Sequence, residues 1–148
     1  MAFTGDFLCS TFLLELLEAK HNFLLSGGDT FNMALYDNSA AFDETTSAYT
    51  ATNELPDATG NYNRPGKALT RIDPARTLKT SFCDFADLVW STATFSAYGA
   101  MIYNDTAAGD PSVVILDFGG IKTATAGDFT VQFPVADATT GIIRISGP

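Results

Sequence analysis

Residues 96–120, SAYGAMIYNDTAAGDPSVVILDFGG, decide how this chain is read. Two apolar runs flank NDTAAGDP, a segment of turn formers in which Asn-Asp and Gly-Asp-Pro favour chain reversal. Apolar run, turn, apolar run is the pattern of a β-hairpin built from core strands. Residues 113–116, VVIL, are apolar on both faces, which places them in a central strand or one covered by a helix. Nothing in the stretch is a chemical reagent, so it reads as scaffold.

The same alternation extends outward. FNMALYD sets Phe31, Met33 and Leu35 on one face, and FTVQF sets Phe129, Val131 and Phe133 opposite Thr130 and Gln132. ALTRID, TSFCDFADLVW and GIIRIS complete a series of strands, with Gly119-Gly120 as a turn or bulge between two of them. The expected fold is therefore mainly β, an antiparallel β-sandwich or rolled sheet. One N-terminal α-helix precedes it, in the segment 6–24, where Phe12, Leu13, Leu16, Leu17 and Leu24 recur at helical steps against Glu15, Glu18 and Lys20. Such an apolar helix must cover an open sheet face or another subunit. Between the strands, 38–66 reads as a long loop excursion rich in Ala, Thr, Asn, Asp and Gly, with one helical turn at 45–50.

All 148 residues are expected to form a single β-rich domain, since a chain of this length buries about two-thirds of its unfolded surface. Twelve Phe and five Tyr supply the volume of its core. Eight Lys and Arg against seventeen Asp and Glu give a net charge of -9, a field that repels phosphate backbones and argues against nucleic-acid binding. The cluster Lys67, Arg71, Arg76 and Lys79 is diluted by Asp73 and Asp84, and reads as a solvated surface. Cys9 and Cys83 read as two buried apolar side chains, although spacing alone leaves a bridge open. The first twenty residues carry no basic n-region and no apolar run of membrane length, so no membrane partner is expected and synthesis is expected in a cytoplasm.

Chemistry is hard to assemble from these residues. His21 is the one histidine, without a companion set for a metal, and it reads as a helix-terminal side chain near the dipole or the surface. No serine sits in a Gly-x-Ser-x-Gly elbow. Asp105 and Asp110 are explained by turn chemistry, and DTAAGD lacks the spacing of a calcium loop. The sequence is read as a non-enzyme, with no catalytic, metal or cofactor residues and no cofactor.

FNMALYDN, WSTATFSAYGAMIYND, VVILDFGGIKTATAGDFTVQFPVADA and the closing IIRI together resemble a family of small virion structural proteins of tailed bacteriophages. The resemblance is strong over 31–53 and 89–145, weaker over 7–23, and departs most over 55–86. It implies a particle component, located in the virion, with no catalytic residues to carry over. The expected role is a capsid decoration or cement protein on the outer head surface, with the major capsid protein as partner. Tail or baseplate placement is the alternative, and a carbohydrate-binding or adhesion module, with Trp90, Tyr98 and Tyr103 lining a groove, is an alternative of another class.

A clamp of this kind binds the assembled lattice and stabilises it by mass action and multivalency, so self-association, for example as a trimer, is expected. The candidate interface residues are Phe3, Phe7 and Phe12 of the N-terminal segment and Tyr49, Tyr62 and Asn63 of the excursion. The negative charge would keep a free copy soluble before assembly.

Overall fold

The computed structural model describes residues 3–148. The elements are β1 (Phe7–Leu8), α1 (Ser10–Leu17), β2 (Phe31–Tyr36), β3 (Lys67–Ala68), β4 (Arg71–Thr77), β5 (Thr80–Phe85), β6 (Leu88–Asn104), β7 (Ser112–Val131) and β8 (Ile143–Ser146). Two antiparallel sheets, β1-β7-β6-β2-β3 and β4-β5-β8, make a sandwich-like, mainly β fold. No helix among the described residues is long and apolar enough to cross a membrane.

The β6–β7 hairpin is its spine. Ile102 pairs with Val114 and Met101 with Ile115, and the 105–111 turn is closed by Asn104, whose Oδ1 accepts from the backbone N–H of Thr106 and Ala107. Residues 113–116 lie buried between β1 and β6, as their two-sided apolarity requires. Gly119 and Gly120 do not separate two strands. They form a bulge inside one 20-residue strand: between the pairs Ala97–Lys122 and Gly99–Asp117, β6 advances two residues while β7 advances five. Both glycines have positive φ (68° and 126°), a conformation glycine adopts without a Cβ clash.

TSFCDFADLVW, expected as one strand, is instead cut at Ala86-Asp87 and shared between the two sheets. Side chains make the cut. Asp84 accepts from the N–H of Phe85 and of Ile142, and Asp87 accepts from the N–H of Phe133, so the local backbone is tied to segments outside either ladder.

The helix is shorter than the 6–24 segment predicts. Phe7 and Leu8 pair with Ile115 and Val114 as a strand, and the N–H of Cys9 and Ser10 bond to the carbonyls of Val113 and Glu44. At the other end Ala19 turns left-handed (φ 57°), which stops the helix after Leu17. Of the predicted apolar stripe only Phe12 is buried and Leu16 partly so, while Leu13, Leu14, Leu17 and Leu24 are exposed. The excursion is present, with no helical turn at 45–50; Asp43 closes a turn there by accepting from Thr45.

One continuous core joins these parts. A chain of rings runs from Phe12 through Phe23 and Phe31, stacked 4.4 Å apart, to Phe85 and Phe133, and so ties α1 to both sheets. Ile102→Ala, in the middle of the spine, should destabilise by about 2–5 kcal/mol in denaturant unfolding at unchanged m, the cost of a core cavity. Leu17→Ala should change stability by less than about 0.5 kcal/mol.

Candidate functional site

Three features hold whatever chemistry the chain has: a carboxyl buried under the excursion, a buried histidine under α1, and an open groove between the sheets. The first is Glu54, whose side chain is fully buried. Tyr49 donates to its Oε2 at 2.5 Å and Tyr62 to its Oε1 at 2.6 Å, while the Tyr62 oxygen accepts from the N–H of Leu35. Arg64 sits 3.7 Å away and donates to the carbonyls of Glu54 and Leu55. Tyr36 donates to the carbonyl of Thr50, and Tyr49 stacks on Tyr103 at 4.6 Å. Burial first, and then the neighbouring Glu54 carboxyl, push the phenols of Tyr36, Tyr49 and Tyr62 well above their ordinary range; Tyr103 is pushed up to about 12, chiefly by burial. The phenols therefore stay protonated and donate. Through Tyr62, which accepts from Leu35, and Tyr49, which stacks on Tyr103, the network staples the excursion to β2 and β6.

His21 is no surface residue. Its ring is fully buried among Phe12, Phe23 and Phe31. Asn104 decides its tautomer. Because Asn104 Oδ1 is occupied by the N–H of Thr106 and Ala107, the Nδ2 amide faces His21 Nδ1 at 3.1 Å, and Nδ1 accepts. The ring proton then lies on Nε2, donated to Glu15 Oε2 at 2.9 Å. Asn104 Nδ2 also donates to Asp29, so the cluster ties α1, its following loop and the β6–β7 turn together.

The groove is an open cavity of about 1130 Å³ between the bent β7 and residues 138–146. Phe118, Phe129 and Phe133 line its floor. Among the described residues no cluster of His, Cys, Asp and Glu is placed to hold a metal ion.

The predicted contact residues are scattered by the fold. Phe3 is buried against Phe42 and lies over Gly99, Phe12 is buried against His21, and Tyr62 is buried between Trp90 and Phe95, so these three are core side chains and cannot reach a partner. Phe7 is half-buried in the groove wall, Tyr49 is half-buried in the Glu54 network, and Asn63 is exposed beside Lys67. The aromatic platform expected of a carbohydrate module is not formed: Trp90 and Tyr103 are buried and only Tyr98 is half-exposed. The exposed large apolar residues are instead five leucines at the α1 end (Leu13, Leu14, Leu17, Leu24 and Leu25), Leu78 at the tip of the β4–β5 hairpin, and Ile72, Ile121, Val135 and Ile145 elsewhere. Leu78 carried a readable signal, one leucine between Arg-Thr and Lys-Thr in a turn.

No family model, no curated protein and no solved structure matches this chain.

Glu54→Ala should leave the Tyr49 and Tyr62 hydroxyls without their acceptor, lower stability by about 1–3 kcal/mol, and speed amide exchange within 38–66 more than in β6 and β7. Cys9 and Cys83 are both free and buried, and burial raises both thiols, Cys83 to about 12. A thiol reagent at pH 8 should label neither in the native protein and both in denaturant; rapid native labelling would contradict the burial.

Proposed function

We propose that this chain is a structural protein of a bacteriophage particle, a decoration or cement protein that binds the outer head surface and stabilises capsomer contacts through the major capsid protein. The observation that carries the reading is the direction of its polar groups. Glu54, His21 and Asn104 are spent on holding the molecule's own segments, while the surface offers leucines and open sheet, Leu17 being 88% exposed. Leu13, Leu14 and Leu17 are gathered on one eight-residue helix, and apolar side chains exposed together favour a contact surface. The likeness of its strand sequences to small virion structural proteins supplies the setting.

Mechanically, a stiff element that bridges neighbouring subunits stabilises only the assembled lattice, and it does so by mass action. Many such contacts per particle add through multivalency, so each can be weak. The stapled excursion and the continuous core supply the stiffness, because a flexible clamp would lose to ordering entropy what it gained in contact.

Purified particles of the phage that encodes the chain provide the test. Labelling should find it on the head in hundreds of copies, and particles made without it should release their DNA at a lower temperature. Six or twelve copies confined to the tail would favour a tail or baseplate role, and absence from the particle would overturn the reading.

A further inference from the structure

We propose that copies of this chain associate head to tail, the β4–β5 hairpin tip of one copy seating in the groove between β7 and β8 of the next. The inference concerns the purified chain and does not depend on the particle reading.

The outer part of the β4-β5-β8 sheet has no covered face. From Ile72 to Phe82, and from Arg144 to Ser146, no side chain is buried. A three-stranded sheet in water needs one face packed. At its tip, Leu78 is 85% exposed between Arg76 and Lys79. The arm also differs in charge from the body. Residues 71–85 and 142–148 hold Arg71, Arg76, Lys79 and Arg144 against Asp73 and Asp84, a net of +2, which leaves -11 for the remainder of a chain of -9. An arm of one sign on a body of the other attracts the body of a second copy.

The groove matches the tip. Its aromatic floor suits Leu78, and its rim carries Asp6, Asp117 and Asp128. Lys122 and Arg144 also line it, so three acids stand against two cations and the lining keeps a net charge of -1. At about 1130 Å³ the groove is larger than the roughly 300–1,000 Å³ of a small-molecule cleft. The tip, and not the β4 edge, makes the contact: Pro74 removes a ladder donor and the pairing shifts register between Ile72 and Ala75, which blunts that edge. Nor can the tip fold back into its own groove, since β8 runs beside β5 as far as the Thr80–Ser146 pair and holds the tip beyond it. A tip-to-groove contact is heterologous, so it closes into a ring or continues as an array.

Sedimentation of the purified chain tests this. At low salt the wild type should form oligomers that dissociate as salt is raised. Arg76→Asp/Lys79→Asp reverses the arm's charge from +2 to -2, and Asp128→Arg reverses the rim; both sites are exposed, and circular dichroism would verify that each variant folds. Each variant alone should associate at least about tenfold more weakly than wild type. Mixed together they should form one-to-one complexes, because one supplies an intact groove and the other an intact arm. Leu78→Asp should also abolish association. A wild type that stays monomeric up to about 1 mM, variants that associate like wild type, or a mixture that stays monomeric would each overturn the proposal.

Discussion

A two-stranded ribbon as long as β6–β7 has to bury its apolar faces, and near its turn both faces are apolar. Met101, Ile102 and Tyr103 and the facing 113–116 run are all buried, so that half needs a cover on each side. Neighbouring residues show which covers it has. Asn104 reaches the His21 cluster under α1, while Tyr103 stacks on Tyr49 of the excursion. Toward the other end the strands become one-sided, with Trp90, Phe95, Phe129 and Val131 buried and Ser91, Thr125, Asp128 and Thr130 in solvent. The bulge at Gly119-Gly120 lets one strand serve both regimes, because it bends the ribbon where the covering changes.

The covers are themselves poor in secondary structure, and polar staples hold them in place. A 29-residue excursion with no helix or strand of its own has many backbone groups to satisfy and few apolar side chains. Glu54 solves this locally. It gathers two tyrosine hydroxyls from within the excursion, and through Tyr62 reaches the N–H of Leu35 in β2. The His21–Asn104 cluster does the same for the α1 end, where an eight-residue helix with one buried aromatic could not hold itself in place. These groups look like reagents in a list of residues, and in the fold they are fasteners.

Edges complete the logic. β1 and β3 are two residues long, and β4 is interrupted by Pro74, so the outer strands offer little ladder to a stray chain. Features different in kind are left open, among them leucines at the α1 end, a basic hairpin tip, and an aromatic groove lined by charges of both signs. The outer strands thus discourage unspecific pairing, while apolar and charged features elsewhere on the surface stay exposed.

The strand content and the central hairpin could be read from the chain, because alternation and turn chemistry are local properties: NDTAAGDP had to be a turn and VVIL had to be covered. The limits of elements could not, because distant groups set them. Asp84 and Asp87 cut TSFCDFADLVW by binding N–H groups at Ile142 and Phe133, and the pairing of Phe7 and Leu8 with β7 took the first turn from the helix. The contact residues were illegible for the same reason. Phe3, Phe12 and Tyr62 are aromatic in weakly patterned segments, and only the fold decides whether such a ring meets Phe42, His21 or Trp90, or meets water. A β core and its amount of apolar surface are written in the chain, since both follow from residue type and period. Which leucines face solvent, and which carboxyl is buried under tyrosines, emerges only from the folded chain, because burial depends on what is packed against a residue from far along the sequence.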